Sequence, residues 1–226
     1  MNNTKKKSPI SWVPTAYFAM GLPFVVLNMV TVLMFKGLEV DDKLITFWTS
    51  LILLPWTLKP LWSPFLELFR TKKFFVIVTQ LITGVTFGLV AFALNLSHFF
   101  SISIALLAIV AFSGATHDIA CDGVYMSELS NEDQAKFIGW QGAFYNIAKI
   151  LATGGLVYLA GYFIELNADA GLLIANKRAW MIILLILSVT MILLGIYHLF
   201  ALPSTQSASS KKTLRSNKEV MKELGQ

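Results

Sequence analysis

The chain has 226 residues, of which 56% are apolar and only 14% charged, with a net charge of +5 and a mean hydropathy of +0.66. That balance excludes an ordinary soluble domain and places the chain among membrane proteins. The single cysteine, Cys121, excludes a disulfide framework and a thiolate metal site.

The opening stretch, MNNTKKKSPISW, is basic, and the apolar run after it is too long for a signal-peptide core and has no small-residue cleavage pattern. Residues 1–12 therefore read as a short N-terminal segment ahead of a retained span. Apolar runs of about 20 residues, enough to cross about 30 Å of hydrocarbon, identify membrane helices. Six such runs predict spans over Val13 to Phe35, Leu44 to Leu66, Phe74 to Leu94, Phe99 to Met126, Phe137 to Phe163 and Ala179 to Leu202. Residues 203–226 are polar, Ser-rich and Lys-rich, the composition of a solvated linker or tail.

Of the Lys and Arg residues outside these spans, 12 fall on the side of the termini and 4 on the other. The positive-inside rule then puts both termini in the cytoplasm. The same bias, with attraction to anionic headgroups, accounts for the net charge, so no nucleic-acid partner is implied.

Along the first span, Tyr17, Gly21, Asn28 and Thr31 are polar or small positions around Pro23, and a mid-span proline permits a bend. Asn28 suits either a ligand or another helix as its hydrogen-bond partner. The second span carries Pro55, Pro60 and Pro64, which suggests a deformable gate helix or one whose freed backbone groups neighbours satisfy. Glu67, Arg70, Lys72 and Lys73 follow in a short turn able to hold two helices by dipole and charge, a candidate gating loop. In the fifth span Gln141, Tyr145 and Lys149 recur every four residues beside Asn146, making a polar stripe. Gly139, Gly142, Gly154, Gly155 and Gly161 on that span are expected to let a neighbouring helix approach closely.

Four charges lie inside spans: Lys59, Asp118, Asp122 and Lys149. Such residues usually face the bundle interior, find a partner and mark a pathway or relay. At 1.5 Å per residue Asp118 lies about 12 Å, Asp122 about 6 Å, Lys59 about 10 Å and Lys149 about 18 Å from the cytoplasmic ends of their spans. Depth matching favours Asp118 with Lys149 and Asp122 with Lys59. The two carboxylates, spaced i, i+4, share one helix face. The pairs either staple helices together or exchange protons, because two like carboxylates one turn apart in low dielectric compete for ionisation. His117 reads as a hydrogen-bonding neighbour or a shuttle.

Six spans with inside termini and a basic turn after the second resemble the amino-terminal half of a major facilitator superfamily transporter. The turn SPFLELFRTKK is similar to the superfamily's GxxxDRxGRR, with Ser63, Glu67, Leu68 and Arg70 at its Gly, Asp, Arg and second Gly positions. YFAMGLPF, LPWTLKPLWSP and SGATHDIACDG together resemble the peptide, acetyl-coenzyme A and drug transporter branch, which includes AmpG-type muropeptide permeases. Lys59, Trp62, Pro64, Asp118, Asp122 and Gly123 match its KPLWSP-like and TQDIAxDG-like strings, while His117 stands where the branch has glutamine.

The resemblance implies an all-α fold of 3+3 inverted repeats in the bacterial inner membrane. It further implies a proton-coupled secondary transporter of a polar organic solute such as a muropeptide, not an enzyme, with no cofactor or metal. Asp118, Asp122, Lys59, Lys149 and His117 would serve coupling, and Tyr17, Asn28, Gln141, Tyr145 and Asn146 the substrate pathway. A lone half cannot enclose a large solute. A second six-helix half is therefore expected, from the same gene product, a partner chain or a second copy. Two alternatives stay open: a membrane-embedded metal-dependent enzyme, because DIACD has the carboxylate spacing of Mg²⁺-dependent diphosphate chemistry, and a non-transporting membrane subunit.

Overall fold

The computed structural model describes the backbone of residues 7–69 and 71–203, and the side chains of all of these except 67–69. Arg70, the side chain of Glu67 and most of the expected linker therefore lie outside the described residues. The described residues form an all-α bundle of six transmembrane helices: Pro9–Gly37, Asp42–Leu61, Lys72–Ala93, Phe99–Glu128, Asn131–Leu166 and Leu172–Ala201. The starts of the odd-numbered spans and the ends of the even-numbered ones gather at one rim, called here the N-terminal rim. There Tyr197 donates to the Ser11 carbonyl at 2.5 Å and Lys73 to that of Leu202 at 2.9 Å.

Helix ends follow local capping chemistry. The fifth helix starts at Asn131, ahead of the expected Phe137, because the Ser130 hydroxyl accepts from the Asp133 N–H at 3.1 Å and Glu132 and Asp133 favour a helix N-terminus. The sixth starts at Leu172 because Gly171, at φ 87°, turns the chain in a conformation open to glycine.

The third, fourth and sixth spans are continuous α-helices, the fourth and the sixth each packed on the third. The other three are irregular. The first has a π-helical turn, Val26–Val30, just after Pro23, and the fifth has one over Leu151–Leu156. The two π turns touch. The second span is broken into Asp42–Ile52, Leu54–Leu58 and a 3₁₀ turn Lys59–Leu61, with a separate helix Ser63–Phe69 beyond. Pro55 and Pro60 each begin a segment, where a missing N–H costs least.

Burial is uneven. The most apolar stretch of the first span is 67% buried, against 22% for the second and 17% for the fifth. The close approach of helices falls at Gly21 rather than on the fifth-span glycines. A Cβ on Gly21 would lie 2.8 Å from the Tyr145 carbonyl oxygen, whereas Gly139, Gly142, Gly154 and Gly161 have nothing within 4 Å and Gly155 meets only Leu151 of its own helix. These fifth-span glycines therefore make no close helix approach among the described residues.

Candidate functional site

The fourth span carries SGATHDIACDG against the first and second. Gly114 lets the second span in: a Cβ there would stand 2.9 Å from Trp56 Cζ2. Trp56 is also packed edge-on against Phe24, with centroids 5.2 Å apart. Three residues on, at the 3₁₀ turn, Lys59 projects to the same side. Asp118 Oδ2 accepts from both, from Lys59 Nζ at 2.7 Å and from Trp56 Nε1 at 2.8 Å. The carboxylate is 8% exposed, and its Oδ1 is buried without a hydrogen-bond partner. One face of the group is clamped and the other is open to a proton or a donor.

Asp122, one turn further, is exposed. Its Oδ1 accepts from the Tyr17 hydroxyl at 2.8 Å, and that hydroxyl accepts from Gln141 Nε2 at 2.8 Å. Tyr17 is buried and held edge-on against Tyr125, with ring centroids 5.9 Å apart. A hydrogen-bonded chain therefore joins the fifth, first and fourth spans, ending on an exposed carboxylate.

The depth-matched pairing does not occur. Asp118 pairs with Lys59 instead of Lys149, and Asp122 takes a tyrosine instead of Lys59. Depth carries no azimuth, and the count also treated the second span as one straight helix to Leu66. The break at Leu53 and the 3₁₀ turn seat Lys59 beside Asp118, while Tyr17 occupies the place beside Asp122. Lys149 lies on the exposed side of the fifth span.

The other expected positions divide. Tyr145 is half-buried against Gly21, Asn28 is exposed in the first-span π turn, and Asn146 is exposed and donates to the Gly142 carbonyl of its own helix at 2.8 Å. Of the candidate gating loop, Lys73 donates to the Leu202 carbonyl, and the Lys72 stem lies where a Gly123 Cβ would be, 2.6 Å from Cδ. Gly123 thus lets a lysine lie beside the fourth-span acids.

His117 points elsewhere. Its Nε2 is 2.9 Å from Gln80 Nε2, Gln80 Oε1 is 2.8 Å from His198 Nδ1, and His198 Nε2 is 2.9 Å from Thr15 Oγ1. Sequence reasoning missed Trp56, Gln80 and His198. Gln80 and His198 had a usable signal, a polar side chain inside an apolar run; Trp56 had only its spacing of three from Lys59.

No family of known proteins has a model that matches this chain, and neither a curated protein nor a solved structure matches it.

Proposed function

We propose that the chain is the amino-terminal six-helix half of a secondary active transporter of the major facilitator type. It couples proton movement to passage of a polar organic solute, such as a muropeptide, across a bacterial inner membrane, with both termini cytoplasmic. The observation that carries this reading is the unequal treatment of two carboxylates one turn apart. Asp118 is buried and clamped by Lys59 and Trp56 with one oxygen left over, while Asp122 is exposed.

Asn28, Asn146 and Lys149 are exposed as well. Charged and amide groups at mid-span are costly against lipid, so the reading covers them with a solute pathway and a second six-helix half. In the coupling step, a proton entering at Asp118 Oδ1 neutralises the carboxylate and removes the partner of the Lys59 ammonium. The second span, already segmented at that height, is then released from the fourth. Asp122 exchanges protons with the pathway, and Tyr17 passes that change to the fifth span through Gln141.

Uptake of a labelled disaccharide peptide by cells expressing the protein with its second half tests this. Asp118→Asn and Asp122→Asn should each abolish gradient-driven uptake while the protein stays in the membrane. Uptake that keeps its normal pH dependence in both variants would overturn the proton role.

A further inference from the structure

The first, third, fourth and sixth spans share a buried file of polar side chains that the carboxylate site does not use. Gln80 and His198 have no exposed surface, and His117 is 3% exposed. Counted at 1.5 Å per residue from the N-terminal rim, His117 lies about 16 Å deep, Gln80 about 12 Å and His198 about 5 Å. The file climbs from mid-membrane to the rim, where Thr15 receives it.

The carboxamide of Gln80 fixes where the protons sit. Its nitrogen faces His117 Nε2 and its oxygen faces His198 Nδ1. An amide nitrogen donates and an amide oxygen accepts. His117 therefore keeps Nε2 bare and carries its proton on Nδ1, which is buried without a partner, while His198 carries a proton on Nδ1. Half a turn of the carboxamide would invert both ring nitrogens that face it. In either orientation one of those two nitrogens has a hydrogen and the other does not, so the two histidines are not imidazolium together.

The rim end is built to take an added proton. Thr15 Oγ1 lies 2.9 Å from His198 Nε2 and 3.2 Å from the Trp12 carbonyl oxygen. While Nε2 is bare, the hydroxyl donates to it. Once Nε2 binds a proton, that N–H donates to Thr15, whose own hydrogen turns to Trp12, and each group keeps a partner. At His117, in contrast, a proton on Nε2 would meet the Gln80 N–H.

We propose that His198 Nε2 is a proton-binding site at the N-terminal rim, distinct from the carboxylate pair. Thr15 is the rotor that reverses its hydrogen bond, and Gln80 keeps His117 neutral while His198 is charged. The reaction is the addition of one solvent proton to the Nε2 lone pair, with no other bond changed. Facing His198 are Lys73 of the third span, Thr15 of the first and the Tyr197 ring of its own helix, with centroids 5.5 Å apart; facing His117 are His198 and Lys59. Lys73 in turn faces Lys7. An imidazolium at His198 repels Lys73 across the contact where Lys73 holds the Leu202 carbonyl, so proton binding loosens this rim and admits water. If the rim is cytoplasmic, as the Lys and Arg count implies, the site reads cytoplasmic acidity.

The test is nitrogen NMR of the full chain labelled with ¹⁵N-histidine in lipid nanodiscs as the pH is lowered. The three histidines include His98, which is exposed and serves as the reference. His198 should become doubly protonated while His117 stays neutral with its hydrogen on Nδ1. Thr15→Val and Thr15→Ala should each require about tenfold more protons to charge His198, and Thr15→Ser should restore the parent titration. A His117 that charges first, or Thr15 variants that titrate like the parent, would overturn the proposal. The readout needs no solute, so loss of proton-coupled uptake in the carboxylate variants neither supports nor removes it.

Discussion

Lys59→Met is the most direct probe of the clamp between the second and fourth spans. It leaves Asp118 at 8% exposure with Trp56 Nε1 as its donor and no cation. Removing one partner of a buried pair costs about 3–5 kcal/mol. The Lys59 side chain is 28% exposed, so part of its charge is already hydrated, and we expect a smaller loss, about 2–3 kcal/mol. Scaled as for soluble domains of this length, that lowers the unfolding midpoint by about 4–12 °C. Asp118→Asn removes the charge from the other side and leaves an ammonium that can turn towards water, at about 1–2 kcal/mol. Lys59→Met combined with Asp118→Leu removes both charges and should return to within about 1 kcal/mol of the parent. Thermal unfolding in detergent, followed by tryptophan fluorescence, reads all four proteins. The reasoning fails if Lys59→Met leaves the midpoint unchanged, or if the double variant loses the sum of the single losses.

Tyr17→Phe removes the hydroxyl shared by Asp122 and Gln141 and should cost about 1–3 kcal/mol in the same assay, while Gln141→Leu costs about half as much. Gly21→Val places a side chain 2.8 Å from the Tyr145 carbonyl oxygen and should cost about 3 kcal/mol or more, seen as loss of monodisperse protein by gel filtration. Gly154→Val, with nothing within 4 Å, should stay within about 0.5 kcal/mol of the parent.

The six spans were legible because apolar length is a one-dimensional signal that needs no partner. The two acids stood out for the same reason, being charges inside such runs. Their partners were not legible: Lys59 and Lys149 match them in depth, and what separates the two is the azimuth set by the break at Leu53 and by Gly114 admitting Trp56. The fifth-span glycines misled because a small residue permits a close approach without saying which side the neighbour is on. Gly21 makes the approach, and its significance rests on Ala148 and the Tyr145 backbone across the interface. His117 was conspicuous, yet the hydrogen-bonded file it joins runs through Gln80 and His198, separated from it by 37 and 81 positions (117 − 80 and 198 − 117); no local pattern joins them.

Irregularity does not track burial, since the first span is the most buried and the second and fifth the least, and what the π turn does is itself testable. A π turn holds one residue more than the α-helix it interrupts, as the Thr31 N–H reaching back five residues to the Val26 carbonyl shows. Deleting Asn28, which is exposed, should close that turn into α-helix and leave Thr31–Gly37 facing as before. Met34 and Phe35 would keep their buried places. In the third span there is no spare residue. Deleting Val85, exposed like Asn28, turns everything beyond it by about 100°. Phe87, Val90 and Ala91, all buried, would then leave the core at a cost of several kcal/mol. The Asn28 deletion should thus yield a folded protein with a midpoint within a few degrees of the parent, and the Val85 deletion none. Equal loss in both would mean that the first-span π turn is held by its own packing and is not a surplus residue.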